Sequence, residues 1–346
     1  MTPIHVERET VDRLIAQEGL VRTGVQLGVA ALLYTYRCTI ACRHCCFGCG
    51  RGAPDVHMAT DRAIAHLEAL HQIGRVIHIA GGEAMLYWDD LREVLARAAA
   101  RGCQPHFIET NCSFATSDAV VRERIAFMKD HGVVGILLSA DAFHQAFVPP
   151  EHFLRVRRLS REAFGPQNVW APESPDEEIM DLAAIARDEH RLGEFVRRHP
   201  PTLVGAAQRE LRKFFDEHPI AELPHGTDWR DPCPGPDCAV VFSKARIWEL
   251  HIDPYDNIQT NCGIILGKAT ETTPLDLLKR GPGEANEIVR IVCRGGPVAL
   301  AEMARRRHNY VLPQKACTRC DFCYTVRKFL RPFYPDVLGP HEVYTA

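Results

Sequence analysis

Apolar and polar residues fall into two alternating patterns over the first half of the chain. Short apolar runs, the mark of strands buried on both faces, are each followed by a longer stretch whose apolar residues recur every three or four positions, the mark of amphipathic helices. Residues 27–36, 75–80, 105–109, 133–139 and 168–171 read as strands, and residues from Thr60 onward, then 91–101, 118–131 and 151–164, read as helices. Thr60 and Asp61 are placed to cap and charge the first helix, and Gly102 and Gly132 stop the next two. Strand followed by helix, repeated, predicts an α/β fold with a parallel sheet. A further sheet element is expected near 203–206, after the break at Pro200 and Pro201. Before the first strand, the run VERETVDRLIAQEGL reads as one amphipathic helix.

The pattern changes after residue 223. Residues 224–238 hold four prolines and two glycines, which suits a boundary or an irregular loop around a metal. The run IWELHIDPYDNIQTNC then predicts a β-hairpin turning at residues 254–257. The organisation expected is an N-terminal helical extension at 1–25, a sheet domain at 26–223 and a smaller domain at 224–346.

With 46% hydrophobic and 25% charged residues, the 346-residue chain can bury an ordinary core. A net charge of -3 argues against a nucleic-acid or anionic membrane partner, because either calls for a clustered excess of Lys and Arg. The basic run Arg155, Arg157, Arg158 and Arg161 reads as a solvated helix face. No apolar segment approaches bilayer length and no signal-peptide pattern opens the chain, so a cytoplasmic enzyme is expected.

Fourteen cysteines change the picture. A disulfide framework belongs to small exported domains, whereas clustered cysteines in a chain of this kind point to metal. Cys38, Cys42 and Cys45 stand in the spacing C-x3-C-x2-C just after the first strand. Three thiolates on a four-iron cube leave one iron open to a ligand. The run YRCTIACRHCC, with Gly81-Gly82-Glu83 after the second strand, resembles the radical S-adenosylmethionine (SAM) superfamily. The resemblance implies a partial (β/α)6 barrel and a 4Fe-4S cluster whose open iron chelates SAM. It also implies reductive cleavage of SAM to a 5'-deoxyadenosyl radical, with an electron from a flavodoxin or ferredoxin-type reductant. It places Gly81, Gly82, Glu83, Thr110, Asn111 and Ser139 at the SAM pocket. Two features depart from the family pattern: His44 stands where an aromatic apolar residue is common, and Cys46 and Cys49 add a second C-x2-C, read as extra thiols. Cys103, Cys112 and Cys293 read as buried apolar residues.

Six more cysteines, Cys233, Cys238, Cys262, Cys317, Cys320 and Cys323, lie in the C-terminal third. C-x2-C turns let two thiolates reach one metal, and spacing alone admits zinc as well as iron. The layout resembles the shortened SPASM-type, or twitch, auxiliary-cluster domain of that superfamily, a small C-terminal unit with a β-hairpin and helices. This implies one auxiliary 4Fe-4S cluster. Cys238, Cys262, Cys320 and Cys323 are the favoured ligands, with Cys233 or Cys317 as possible replacements.

Asp141 and His144 follow the fourth strand and are candidate catalytic or substrate-contacting residues, against the plainer reading of a helix cap and a surface histidine. The expected reaction is hydrogen-atom abstraction from a small or carrier-borne substrate, with net oxidation or rearrangement. A peptide-modifying maturase is the alternative, and a non-catalytic iron-sulfur or zinc protein is the remote one. The small substrate is preferred because the extension before the first strand is too short for a separate leader-binding domain.

Overall fold

The structure is a computed structural model that describes residues 6–223, 238 and 249–345. Two helices, α1 (Arg8–Glu18) and α2 (Leu20–Leu27), precede the sheet, where a single helix was expected. The break is Gly19, at φ 87°, and a side chain there would collide with Gln167. Asn168 Oδ1 accepts the freed Leu20 N–H at 2.8 Å, so the kink is satisfied.

Strands β1 (Val29–Leu33), β2 (Val76–Ala80), β3 (Phe107–Thr110), β4 (Gly135–Leu138) and β5 (Val169–Trp170) follow in order and pair in parallel. Between and after them stand α3 (Thr60–His71), α4 (Trp88–Ala100), α5 (Asp118–Asp130), the short α6 (Ala142–Gln145) and α7 (Pro150–Phe164). Alternation in β1 divides its side chains. Ala30 and Leu32 pack outward with Ile77, Ile79 and the helices, while Ala31 and Leu33 face inward with Ala80. Each such Leu or Ile contributes about 2 kcal/mol by leaving water. At the N-terminal ends of the strands, Val11, Ile15 and Leu20 pack on Val29, Val76 and Phe107 and close that end of the sheet.

The basic run on α7 is only in part the solvated face expected: Arg157 is buried and donates to the carbonyls of Pro172 and Ser174 at 3.0 and 2.9 Å, and all four arginines are held by ion pairs. Arg155 and Arg158 meet Asp118, Arg157 meets Asp176, and Arg161 meets Glu173.

Downstream lie α8 (Asp176–Arg187), α9 (Glu189–Arg198), α10 (Ala206–Leu211) and the two-residue strand β6 (His218–Pro219). The element expected near 203–206 is not a strand. Gly205, at φ 58° and ψ -131°, turns the chain into α10 instead. The sixth parallel strand comes from the C-terminal segment. β7 (Glu249–Ile252) pairs in parallel with β1, on the edge away from β5, and β8 (Asn257–Gln259) and β9 (Ile265–Lys268) continue the sheet antiparallel. The strand order is β5-β4-β3-β2-β1-β7-β8-β9, and the sheet does not close.

The hairpin turns where the sequence places it, with Asp256 at φ 61°. A buried polar network ties it to β1: Tyr36 donates to Asp253 at 2.9 Å, Gln259 donates to the Tyr36 hydroxyl at 2.6 Å, and Asn257 Nδ2 donates to Asp253 at 2.8 Å. Helices α11 (Pro274–Arg280) and α12 (Glu287–His308), strand β10 (Lys315–Ala316), and helices α13 (Arg319–Leu330) and α14 (His341–Thr345) complete the chain. Among the described residues no helix is long and apolar enough to cross a membrane.

Candidate functional site

The candidate residues gather at the C-terminal ends of the parallel strands, where such sheets place ligands. Beyond β1 the chain enters the cysteine loop, and backbone bonds fix both of its flanks. Gly82 and Glu83 donate their N–H groups to the carbonyls of Thr35 and Arg37 at 2.7 and 3.0 Å. A Cβ on Gly82 would lie 2.0 Å from the Arg37 carbonyl, and one on Gly81, at φ 140°, 2.6 Å from that of Thr35. The glycine pair thus lets the turn after β2 clamp the start of the cysteine loop. On the other flank Ala206 N–H donates to the Cys45 carbonyl at 3.0 Å, and Gly205 is glycine because a Cβ would strike that same oxygen.

The loop brings Cys38, Cys42 and Cys45 together, Cys38 buried and the other two half-buried. Burial pushes the Cys38 thiol up, and the charges of Glu83, Cys42 and Cys45 push it further. Cys49 completes a group of four sulfurs. Its thiol and its N–H both point at the Cys45 sulfur, the latter at 3.3 Å, and the Cys45 thiol falls to about 7, chiefly through the Cys49 side chain.

Glu83, Thr110 and Asn111 form one unit. The buried Glu83 carboxylate accepts from the Thr110 hydroxyl at 2.9 Å, Asn111 N–H at 2.8 Å and Met85 N–H at 3.1 Å. Burial nevertheless pushes its pKa up to about 7, against the pull of those donors. Asn111 Nδ2 reaches Thr39 Oγ1 at 3.1 Å and Cys38 Sγ at 3.5 Å, so this unit holds the cysteine loop. Ser139 stands apart on the inner side of the sheet, donating to Glu109 at 3.2 Å, with His78 3.8 Å from the same carboxylate.

Asp141 caps α6, accepting from Phe143 N–H and His144 N–H at 2.8 and 3.0 Å. It does more than cap. The same oxygen lies 2.8 Å from His144 Nδ1, and the second oxygen lies 3.3 Å from His44 Nε2. Burial opposes charge on both members of the 141–144 pair, yet mutual attraction holds Asp141 below the usual carboxylate range and His144 well above the usual imidazole range. His144 also hydrogen-bonds the Cys42 side chain. His44 stacks on Phe143 at 4.5 Å between ring centres, and burial lowers it to about 4. The three donor atoms of His44, Asp141 and His144 lie within 4.8 Å of one another.

The second cysteine set lies among the hairpin, α12 and α13. Cys262 follows β8, with Thr260 Oγ1 3.0 Å from its sulfur, and Cys320 and Cys323 occupy the first two turns of α13. Cys238 donates its N–H to the Val292 carbonyl of α12 at 2.9 Å. Arg327, one turn beyond Cys323, is 1% exposed. Its guanidinium donates to the Cys262 carbonyl and, at 2.8 Å, to the Tyr344 hydroxyl, and its charge acts on the sulfurs of Cys262 and Cys323. Tyr324 and Tyr344 flank it with ring centres at 5.4 and 5.8 Å. Among the described residues no carboxylate pairs with it, and its Nε has no hydrogen-bond partner. A buried cation left over in this way fits an anionic metal-thiolate centre on the neighbouring sulfurs. Cys317 is elsewhere, packed with Leu192, Leu203 and Leu211, its sulfur 3.8 and 3.9 Å from the carbonyls of Arg212 and Phe215. Cys233 lies outside the described residues, while Cys103 and Cys112 are core residues as expected.

Residues 32–191 match the family model of the radical SAM superfamily. That match spans a little under half of the chain. Its three-cysteine loop, with sulfurs converging beside the Glu83 unit, fits the 4Fe-4S cluster and SAM that this family implies. Among solved structures, the crystal structure of BtrN in complex with AdoMet and 2-DOIA matches with a TM-score of 0.42 and 12% sequence identity, over 78% of this chain and 88% of that one. No curated protein sequence matches the chain. Sequence reasoning did not find the roles of Gly205 and Arg327. The spacing Cys323 to Arg327 on one helix face was the available signal for the second, and nothing local marked the first.

Proposed function

We propose that this chain is a radical SAM enzyme that abstracts a hydrogen atom from a small or carrier-borne substrate, with an auxiliary 4Fe-4S cluster in its C-terminal part. The carrying observation is the convergence of Cys38, Cys42 and Cys45 on a loop locked to Glu83, Thr110 and Asn111 at the C-terminal ends of parallel strands. Cys38, Cys42 and Cys45 would hold the 4Fe-4S cluster, which with SAM would supply the 5'-deoxyadenosyl radical.

The chain's own residues do the positioning. Glu83 fixes Thr110 and Asn111, and Asn111 passes that order to the Cys38 side of the loop. Gly205 and Ala206 hold the Cys45 side. Asp141 orients His144 toward Cys42, which makes the pair positioning residues for a ligand sulfur and leaves a direct catalytic role for His144 as part of the proposal. The apolar plug at the opposite end of the sheet excludes water from below, so substrate enters from the cysteine side and meets Ser139, Glu109 and His78 on the inner face. A carboxylate flanked by a hydroxyl and an imidazole suits a substrate rich in hydroxyl or amino groups.

In the C-terminal part, Cys238, Cys262, Cys320 and Cys323 are the proposed ligands, with Arg327 balancing the negative charge of the centre. A cluster held by those cysteines would supply an electron acceptor for the substrate radical, and the net reaction would then be an oxidation. Anaerobically reconstituted protein with dithionite and SAM should release 5'-deoxyadenosine. The Cys38→Ala, Cys42→Ala, Cys45→Ala triple variant should release none while keeping its circular-dichroism spectrum. Unchanged release by that variant refutes the assignment.

A further inference from the structure

A cleft of about 440 Å³ opens beside the cysteine loop, between that loop and the segments after β2, β3 and β4. The inner-face residues Ser139, Glu109 and His78 are not part of its wall, so it is separate from the proposed substrate space. Arg51 and Arg124 line it, and no Asp or Glu does. Both guanidiniums are held by neutral carbonyls, Arg51 Nε by Thr39 at 2.6 Å and Arg124 Nη1 by Met85 at 3.2 Å, so these contacts leave their charge uncompensated. The acidic groups that reach Arg124 electrostatically, Glu123, Glu83 and Asp89, stand outside the lining. Leu86 and Phe147 add apolar area at the cleft, 43% and 45% exposed on a chain that buries most of its large apolar side chains.

The wall of the cleft is also one side chain away from a ligand sulfur. Thr39 and Ser113 line it, with their hydroxyls 2.9 Å apart. Asn111 Nδ2 donates to Thr39 Oγ1 at 3.1 Å and to Cys38 Sγ at 3.5 Å. A basic surface with a small exposed apolar patch, connected by hydrogen bonds to a redox centre, has the chemistry of a transient electron-transfer contact. Such contacts are small, and opposite charge steers them.

We propose that this cleft is the docking site of an acidic one-electron carrier protein, and that the electron enters through Thr39 and Asn111 to the sulfur of Cys38. One electron leaves the carrier and one enters the cluster; no atom is transferred. The inference rests on the radical SAM reading and adds the surface and the charge of the partner.

The test uses a purified flavodoxin with an acidic rim around its flavin, and it reads binding as well as turnover. Flavodoxin should bind the reconstituted protein more weakly as salt is raised, because the steering charges are screened. The Leu86→Glu, Phe147→Glu double variant should bind at least about tenfold more weakly. Arg51→Glu should act in the same direction. All should retain wild-type iron content, and the double variant should retain dithionite-driven 5'-deoxyadenosine release. Flavodoxin affinity within about twofold of wild type in the double variant, or affinity indifferent to salt, overturns the proposal. Absence of dithionite-driven release in the wild type would instead count against the radical SAM reading, a separate outcome because binding is measured without turnover.

Discussion

Around the first three cysteines the ionisable neighbours include two carboxylates, the buried Glu83 and the half-buried Asp141, and each is satisfied by several donors from the loops it positions. Around Cys262 and Cys323 the buried neighbour is a guanidinium, Arg327, with no carboxylate to answer it among the described residues. The first arrangement is closed without a metal: its polar groups pair with one another and the loop geometry follows. The second is electrostatically incomplete, because an unmatched buried cation costs several kcal/mol unless an anion sits beside it. The first cysteine group is therefore built for geometry and the second for charge.

The contrast breaks most visibly at Arg327. Arg327→Met should release the second centre, lowering iron from about eight to about four per chain after anaerobic reconstitution, while the barrel centre and SAM cleavage survive. In the metal-free protein the variant should be no less stable than wild type in chemical denaturation, since it removes a buried charge that no described carboxylate opposes. Arg327→Lys, which keeps the charge without the fork, should fall between. Full iron content in the Met variant would show that the cation is structural only.

The next largest effect belongs to the carboxylate side. Glu83 titrates at about 7 in the folded chain against an ordinary 4.5, so the folded state holds its proton more tightly than the unfolded state. Its contribution to stability is present below 4.5 and is lost as pH rises through about 7. Over that window the metal-free protein should lose on the order of 3 kcal/mol. Glu83→Gln should flatten this part of the urea-midpoint profile, and an unchanged profile would remove the burial argument.

Smaller again is Gly205→Ala. Its backbone angles are poor for an alanine and the new methyl meets the carbonyls of Cys45 and Cys46. A loss of about 1–3 kcal/mol is expected, seen as a lower melting temperature and weaker iron retention at the barrel centre. Cys317→Ala should change least, leaving both centres loaded, because that sulfur faces the carbonyls of Arg212 and Phe215 in a separate apolar group. Loss of the second centre in this variant would redraw the ligand set.

Local chemistry made some of this legible. The five parallel strands and the helices α3, α4, α5 and α7 follow from apolar period, and the turn of the hairpin follows from Pro254 and Asp256. The three-cysteine spacing points to its centre because the ligands are neighbours in the chain. What escaped depends on partners far away in sequence. β7 pairs with β1 across more than half the chain, a register that no window around residues 249–252 contains. Residues 203–206 look like a strand by composition, but their work is to support Cys45, and only the fold reveals that contact. Asp141 and His144 stood out as a polar pair, and their partner Cys42 lies about a hundred residues away, so a capping motif and a sulfur-facing histidine are indistinguishable until the loop is placed.

The central claim is that the chain holds two iron-sulfur centres of different build, and metal analysis tests it most directly. Iron, sulfide and zinc should be measured on the anaerobically reconstituted wild type, on the Cys38, Cys42, Cys45 triple Ala variant, and on a Cys262→Ala, Cys323→Ala double variant. Two four-iron centres predict about eight irons and no zinc in the wild type and about four in each variant, with SAM cleavage surviving only where the barrel cysteines remain. About four irons and one tightly held zinc in the wild type, or iron content untouched by the double variant, would contradict it.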